Sequence, residues 1–395
     1  MKVLLYWHDI YLPYSDYLIR GFATNEKISQ LCIVGPDEYE ADAIYSGSEN
    51  NQSFPEKVIF KKIKTYSFRK KWGPIKEFKK CIQEFKPDCI IVLDEAFSVN
   101  VLNAAIANSL ASNKASVLFY GFENIKQTPP LQFLLENLSF KSFWIYLRKT
   151  IRYIFADALL QPIRARLVNG GLACYSECVD VVHQFGWKPL VGKQWWGLDL
   201  DPFMRAGKNS DKANADFKII GYVGRLIEEK GVLDLVALMR QIDPSYQLLL
   251  VGSGPLEKTL KKLASDPVLE SRIHFLPPQS RDELASIYAR LNALILPSKT
   301  DYFWKEQYGR VLVEAMACKT PVVGSRSGAI PYVINDENRL FNEGDIAGMQ
   351  SAIKNACLMN SSQRQKLQVR SLLGGVDQFV NAFLEIHTRV ISSKS

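Results

Sequence analysis

The strongest constraint on this chain is a beat running through both of its halves: short apolar runs alternate with longer amphipathic stretches. In the first half the apolar runs are residues 3–7, 31–34, 58–60, 89–93 and 117–120, with amphipathic stretches such as 76–85 and 99–110 between them. The second half keeps the beat more regularly. Runs at 217–223, 247–251, 272–275, 293–296 and 321–323 are each followed by a helical pattern, at 232–241, 256–263, 282–289, 309–318 and 346–358. A short apolar run bounded by turn residues reads as a strand buried on both faces, and the longer period between runs reads as a helix that covers it. Parallel strands need such crossovers, so the expected class is α/β, with two doubly wound, Rossmann-like sheets in tandem.

A polar stretch at 197–216, poor in apolar runs, marks the join. This gives a first domain over residues 1–200 and a second over 201–375. Residues 376–395 read as a packing helix, because Val376, Phe379, Val380, Phe383, Leu384 and Ile386 recur at helical spacing. Such a helix is suited to return and brace the first domain.

Composition narrows the function classes. With 47% hydrophobic and 23% charged residues, the chain is neither a disordered segment, a collagen-like fibre nor a polytopic membrane protein. The 49 basic and 41 acidic side chains leave a net charge of +8, short of a nucleic-acid-binding signature, so no nucleic acid is expected as a partner. The seven cysteines are scattered. Cys174 and Cys178 lie one helical turn apart, but no His or Cys pair stands near them to complete a zinc site. Reduced thiols in a cytoplasmic protein are the expectation. The opening MKVLLYWHDIY has an apolar run cut short by His8 and Asp9, unlike a secretory signal, and no long uncharged apolar stretch spans a bilayer.

Residues 131–166 are unusual. Phe133, Phe140, Phe143, Trp144 and Tyr146 crowd together there, and Lys141, Arg148, Lys149, Arg152, Arg164 and Arg166 outnumber Glu136 and Asp157. A second basic cluster runs through Lys57, Lys61, Lys62, Lys64, Arg69, Lys70, Lys71, Lys76, Lys79 and Lys80. One reading is a surface resting on anionic lipid, peripheral to the inner face of a membrane. The other is a buried helix pair plus a solvated basic face.

The residues that carry chemistry stand in the second half. Gly224 and Arg225 follow the 217–223 strand, and Lys230 and Gly231 come before the next helix. A guanidinium fork and an ammonium at a glycine turn suit a diphosphate. Gly252-Ser253-Gly254-Pro255 resembles a dinucleotide fingerprint but has Glu257 in place of the third glycine, which disfavours a nicotinamide cofactor. Ser298 lies in the loop after the 293–296 strand. Beyond it, Glu306 and Glu314 are eight residues apart, with Tyr308 and Gly309 between them. If Gly309 starts a helix, the amides of Gly309, Arg310 and Val311 point outward as an anion site. Two carboxylates beside such a site can accept hydroxyls of a sugar and a ribose. Ser327-Gly328-Ala329 closes the same sheet end.

The order GRLIEEKG, VGSGP, LPS, EQYGRVLVEAMA and PVVGSRSGAIP resembles glycosyltransferase family 4, retaining enzymes of the GT-B fold. The likeness is strong over residues 217–359 and weaker over 156–201. It implies that Arg225 and Lys230 hold the diphosphate of a UDP- or GDP-sugar, that Glu306 binds donor-sugar hydroxyls and Glu314 the ribose diol. Gly224, Gly252, Ser298 and the backbone of Tyr308, Gly309, Arg310, Val311 and Leu312 would complete the donor site, with the backbone near Leu276 at the base edge. The catalytic set so implied is Arg225, Lys230 and Glu306. The first half departs from the pattern: His8 to Ser15 replace a paired-glycine loop, and Tyr120 to Asn124 replace a His-Asp pair. His8, Asp9, Glu123 and Asn124 are the acceptor-side candidates.

The resemblance implies transfer of a hexose, with retained configuration, to a glycan or lipid-linked glycan in cell-surface polysaccharide synthesis. Neither a cofactor nor a metal is expected if the cationic groups neutralise the diphosphate. Two alternatives stay open: a sugar-nucleotide 2-epimerase of the same fold, and a non-catalytic glycan- or nucleotide-binding protein.

Overall fold

The structure is a computed structural model that describes residues 1–9, 15–37, 54–65, 72–125, 160–184, 187–208, 217–301 and 304–393. The chain divides into two compact units. Met1–Leu198 and Val376–Ser395 form one, and Asp199–Gly375 forms the other.

The first unit is built on a seven-stranded sheet of β1 (Lys2–Tyr6), β2 (Gln30–Pro36), β3 (Val58–Ile63), β4 (Cys89–Val92), β5 (Ser116–Gly121), β6 (Gly170–Ala173) and β7 (Leu190–Lys193). Its order is β3-β2-β1-β4-β5-β6-β7, and every neighbouring pair is parallel. The central strands β1, β4, β5 and β6 are buried almost throughout because both faces are covered, whereas the edge strand β3 exposes Ile59, Phe60 and Lys62. On one face, helices Ile75–Phe85 and Val99–Leu110 bring Phe78, Ile82, Val101 and Ala104 onto Leu4, Tyr6, Ile90 and Val92. Helices Ser15–Thr24 and Val376–Ser392 pack against each other, and the second lies along β5, β6 and β7. Phe379 anchors that helix, its ring 5.2 Å from Trp196 and 5.0 Å from Tyr120. Ser116 Oγ and His387 Nδ1 meet at 2.7 Å in the same interface, where burial holds the imidazole below its ordinary pKa.

Two basic-surface expectations meet the structure differently. Residues 131–159 and 69–71 lie outside the described residues. Arg164, counted above in the basic surface, is instead buried in helix Gln161–Leu167. Its guanidinium donates to the Phe97 carbonyl at 2.8 Å and stands 5.9 Å from the Phe97 ring centre. A planar, weakly hydrated cation tolerates such burial when its donors find carbonyls.

The second unit has a six-stranded sheet of β8 (Lys218–Val223), β9 (Tyr246–Val251), β10 (Ile273–Leu276), β11 (Ala293–Leu296), β12 (Val322–Ser325) and β13 (Leu340–Phe341). The order is β10-β9-β8-β11-β12-β13, again parallel throughout. The order reverses between β8 and β11, the switch point at whose carboxyl end open α/β sheets leave a crevice for ligands. In the first unit the same reversal falls between β1 and β4. All seven cysteines are free thiols, six of them buried. Among the described residues no helix is long and apolar enough to cross a membrane.

Candidate active site

Two glycine turns at the carboxyl ends of β8 and β9 are bonded to one another. Gly224 N–H donates to Val251 O at 3.0 Å, and Leu226 N–H to Ser253 O at 2.9 Å. A Cβ on Gly252 would stand 2.0 Å from Gly224 O, and its φ is 137°, so this approach admits glycine alone. The Gly252 amide is itself committed to Leu276 O at 3.0 Å, which ties the end of β10 to the same rim. The turn leaves Arg225 exposed, with its carbonyl held by the Tyr222 hydroxyl at 2.6 Å. Lys230 follows in the 3-10 turn Glu228–Lys230.

Lys230 and Glu306, 76 residues apart, meet at the switch point. Lys230 Nζ donates to Glu306 Oε2 at 2.6 Å, and buried Ser298 donates to the same oxygen at 2.9 Å. The ammonium also stands 4.8 Å from the centre of the Trp304 ring. The Ser327-Gly328 turn supports Glu306 from behind. Ala329 N–H donates to the Glu306 carbonyl at 2.9 Å, and a Cβ on Gly328 (φ 48°) would come within 2.0 Å of that oxygen.

Gly309 is the N-cap of helix Arg310–Ala317. The first helical bond is made by Leu312 N–H to Gly309 O at 2.9 Å, so the amides that precede it point out of the helix end. The Leu312 amide is spent inside the helix, and its side chain is fully buried. Tyr308 is buried, and Arg310 is exposed. Glu314 lies in the second turn, where the Tyr288 hydroxyl donates to its Oε2 at 3.1 Å. The arrangement concentrates cations, amide dipoles and two fixed carboxylates at one sheet end. That is a combination able to bind an anion and hydroxyl groups together. Asp199-Leu200-Asp201, an Asp-x-Asp sequence, is structural here: Asp199 pairs with Arg281 at 3.1 Å and accepts the Asp201 amide at 3.1 Å.

In the first unit, the acceptor-side candidates fall at the carboxyl ends of β1 and β5. His8 Nε2 is 3.2 Å from Asp9, and its Nδ1 is 3.9 Å from Asp94. Asn124 is turned inward, its amide on the Tyr175 hydroxyl, because it is nearly fully buried. Glu95, which sequence reasoning passed over, is the group that joins the others. Its Oε1 accepts the amides of Phe122 at 2.8 Å and Glu123 at 3.0 Å. Burial, reinforced by the Glu123 and Asp94 charges, pushes its carboxyl up to about 8. Tyr288 and Trp304 were likewise not singled out as site residues, since each looks like core or loop until its partner is known.

Residues 205–370 match the family model of glycosyl transferases group 1. The matched segment lies within the second unit. A D-inositol 3-phosphate glycosyltransferase of Mycobacteroides abscessus is 35% identical over 168 residues, covering 40% of this chain and 34% of that protein. The corresponding protein of Mycolicibacterium smegmatis is 32% identical over 167 residues, again 40% and 34%. The chain thus spans about a third of the length of these curated relatives. In fold the likeness runs through the whole chain. The lipopolysaccharide outer core galactosyltransferase WaaB superposes with a TM-score of 0.66 at 14% identity, covering all of both chains. Anabaena HepE in complex with UDP gives 0.62 at 15%, covering 100% of this chain and 99% of that one. The two α/β units are those of the GT-B fold.

Proposed function

We propose that the chain is a retaining hexosyltransferase of family 4, using a nucleoside-diphosphate sugar, UDP- or GDP-linked, and no metal. The observation that carries this reading is the meeting of Lys230, Ser298 and Glu306 beside the Gly309 helix terminus, within the segment that matches the family model. The bond from sugar C1 to the diphosphate oxygen breaks as the acceptor oxygen bonds to C1 on the same face. The acceptor proton goes to the departing phosphate. Arg225, Lys230 and the Gly309 to Val311 amides face the charge that develops on that phosphate. Removing one such donor costs about 3 kcal/mol of transition-state stabilisation. Glu306, fixed by Lys230 and Ser298, holds the sugar hydroxyls, and Glu314 the ribose. HepE, a fold neighbour, has been crystallised with UDP and glucose, which supports a donor of this type.

The acceptor we propose is a glycan or lipid-linked glycan built at the cytoplasmic face of a membrane, in cell-surface polysaccharide synthesis. Trp72 and Phe60, both about half exposed, and exposed Lys62, Lys64, Lys76 and Lys80 support contact with anionic lipid. Failure to co-float with anionic vesicles removes that part. The donor reading is tested by titrating UDP and GDP calorimetrically and by assaying Glu306→Gln. Binding of one nucleotide, with transfer at least about 100-fold slower in the variant, is the expected result. Transfer at the parental rate sinks the role of Glu306, and nucleotide-sugar turnover without acceptor points to the epimerase.

A further inference from the structure

Glu314 stands half-buried in the second turn of its helix, where a flexible carboxylate ordinarily samples several rotamers. Here it does not stand alone. Helix Arg281–Arg290 delivers Tyr288, fully buried, and the phenol donates to Glu314 Oε2 at 3.1 Å. The ring is itself locked. Phe203 packs on it with centroids 5.9 Å apart, and Thr320 Oγ1 donates to the Tyr288 carbonyl at 2.6 Å. Arg281 lies 5.7 Å from the Phe203 ring centre and pairs with Asp199, which pins that ring in turn. Burial and the adjacent Glu314 charge push the Tyr288 phenol well above its ordinary range, so the hydroxyl keeps its proton and remains a donor.

We infer that Tyr288 is a positioning residue that aims Glu314 at the two ribose hydroxyls and so makes this site select ribose over deoxyribose. The inference rests on the donor reading above, in which Glu314 takes the ribose. A phenol committed to one lone pair leaves acceptor positions on both carboxylate oxygens for a diol. It also removes the rotamer freedom that binding would otherwise have to freeze. The arrangement costs the fold nothing elsewhere, because a buried tyrosine hydroxyl requires a partner in any case.

The test is a ratio. UDP and GDP are titrated into the full chain, and the tighter binder is then compared with its 2′-deoxy form, in the parent and in Tyr288→Phe. The parent should prefer the ribonucleotide by about tenfold or more, as expected for a hydrogen bond to a charged group. In Tyr288→Phe that preference should fall toward unity, while affinity for the deoxynucleotide stays near parental. A purely structural tyrosine would weaken both ligands alike and leave the ratio unchanged, which overturns the inference and leaves the donor reading standing. A parent that binds the two forms equally also overturns it. A parent that binds neither UDP nor GDP overturns the donor reading itself. Should Tyr288→Phe not fold, a crystal of the parent soaked with the tighter nucleotide decides. Glu314 bonded to both Tyr288 and the ribose supports the inference, and Glu314 turned away from Tyr288 sinks it.

Discussion

Among single residues, Glu95 makes the sharpest statement about pH. Its folded carboxyl titrates near 8 against an ordinary value of 4.5, chiefly through burial. Below about pH 4.5 the carboxyl is neutral in folded and unfolded chains and contributes nothing. As pH rises toward 8 the fold retains a proton that the unfolded chain gives up, so this residue lowers stability progressively. Glu95→Gln keeps an oxygen for the Phe122 and Glu123 amides and removes the slope. Its thermal midpoint should match the parent near pH 5 and exceed it near pH 8.5, and equal midpoints at the higher pH would count against the burial argument. Residues of this kind could not be read in advance. Leu93-Asp94-Glu95-Ala96 looks like a solvated turn, and its meaning depends on backbone donors 27 and 28 residues away. The place of Glu306, Lys230 and Gly309 at one sheet end was legible because it is tied to local spacing: a glycine turn, a helix start, a carboxylate on either side. That Lys230 and Glu306 form an ion pair was not, since it needs the parallel order of β8 and β11.

At the level of elements, the helix Val376–Ser392 carries the clearest energetic claim. Phe379 and Phe383 are fully buried, in contact with Phe22, Tyr120 and Trp196. Phe379→Ala should destabilise the first unit by about 3–5 kcal/mol, read as a shift in its urea midpoint. Nucleotide affinity of the second unit should stay the same. A loss below about 1 kcal/mol would mean the helix is not bracing the sheet. The helix itself was visible from its spacing, as were most strands. The structure adds β6, β7 and β13, together with helices Ser15–Thr24, Gln161–Leu167, Ser176–His183, Asp201–Lys208, Ile330–Ile334 and Ser361–Ser371. Gly170-Gly171-Leu172-Ala173 offers one large apolar side chain in four residues, and β13 has two residues in all. Pairing with a neighbour makes these strands, and a single sequence does not display its neighbours.

Across the whole molecule, the alternation of runs was enough to give two parallel α/β units, while the residues at the carboxyl end of the second sheet gave the family likeness. Diphosphate and sugar sites impose glycine turns and helix starts at fixed places, whereas the carboxyl end of the first sheet bears no comparable pattern. The nesting has an experimental face. Asp199–Gly375 is one continuous unit with its own sheet. Expressed alone, it should unfold cooperatively and bind UDP or GDP with the affinity of the full chain. A fragment that stays unfolded would show that it depends on the first unit. The first unit has no such independence, because its covering helix is encoded on the far side of the second. During translation the ribosome therefore finishes β7 and then spends on the order of 10 s on the intervening unit before Phe379 exists. Through that interval the nascent sheet waits with β5, β6 and β7 uncovered on one side. The inner body matures first, and any holdase acting on this protein should find its target on the older half of the chain.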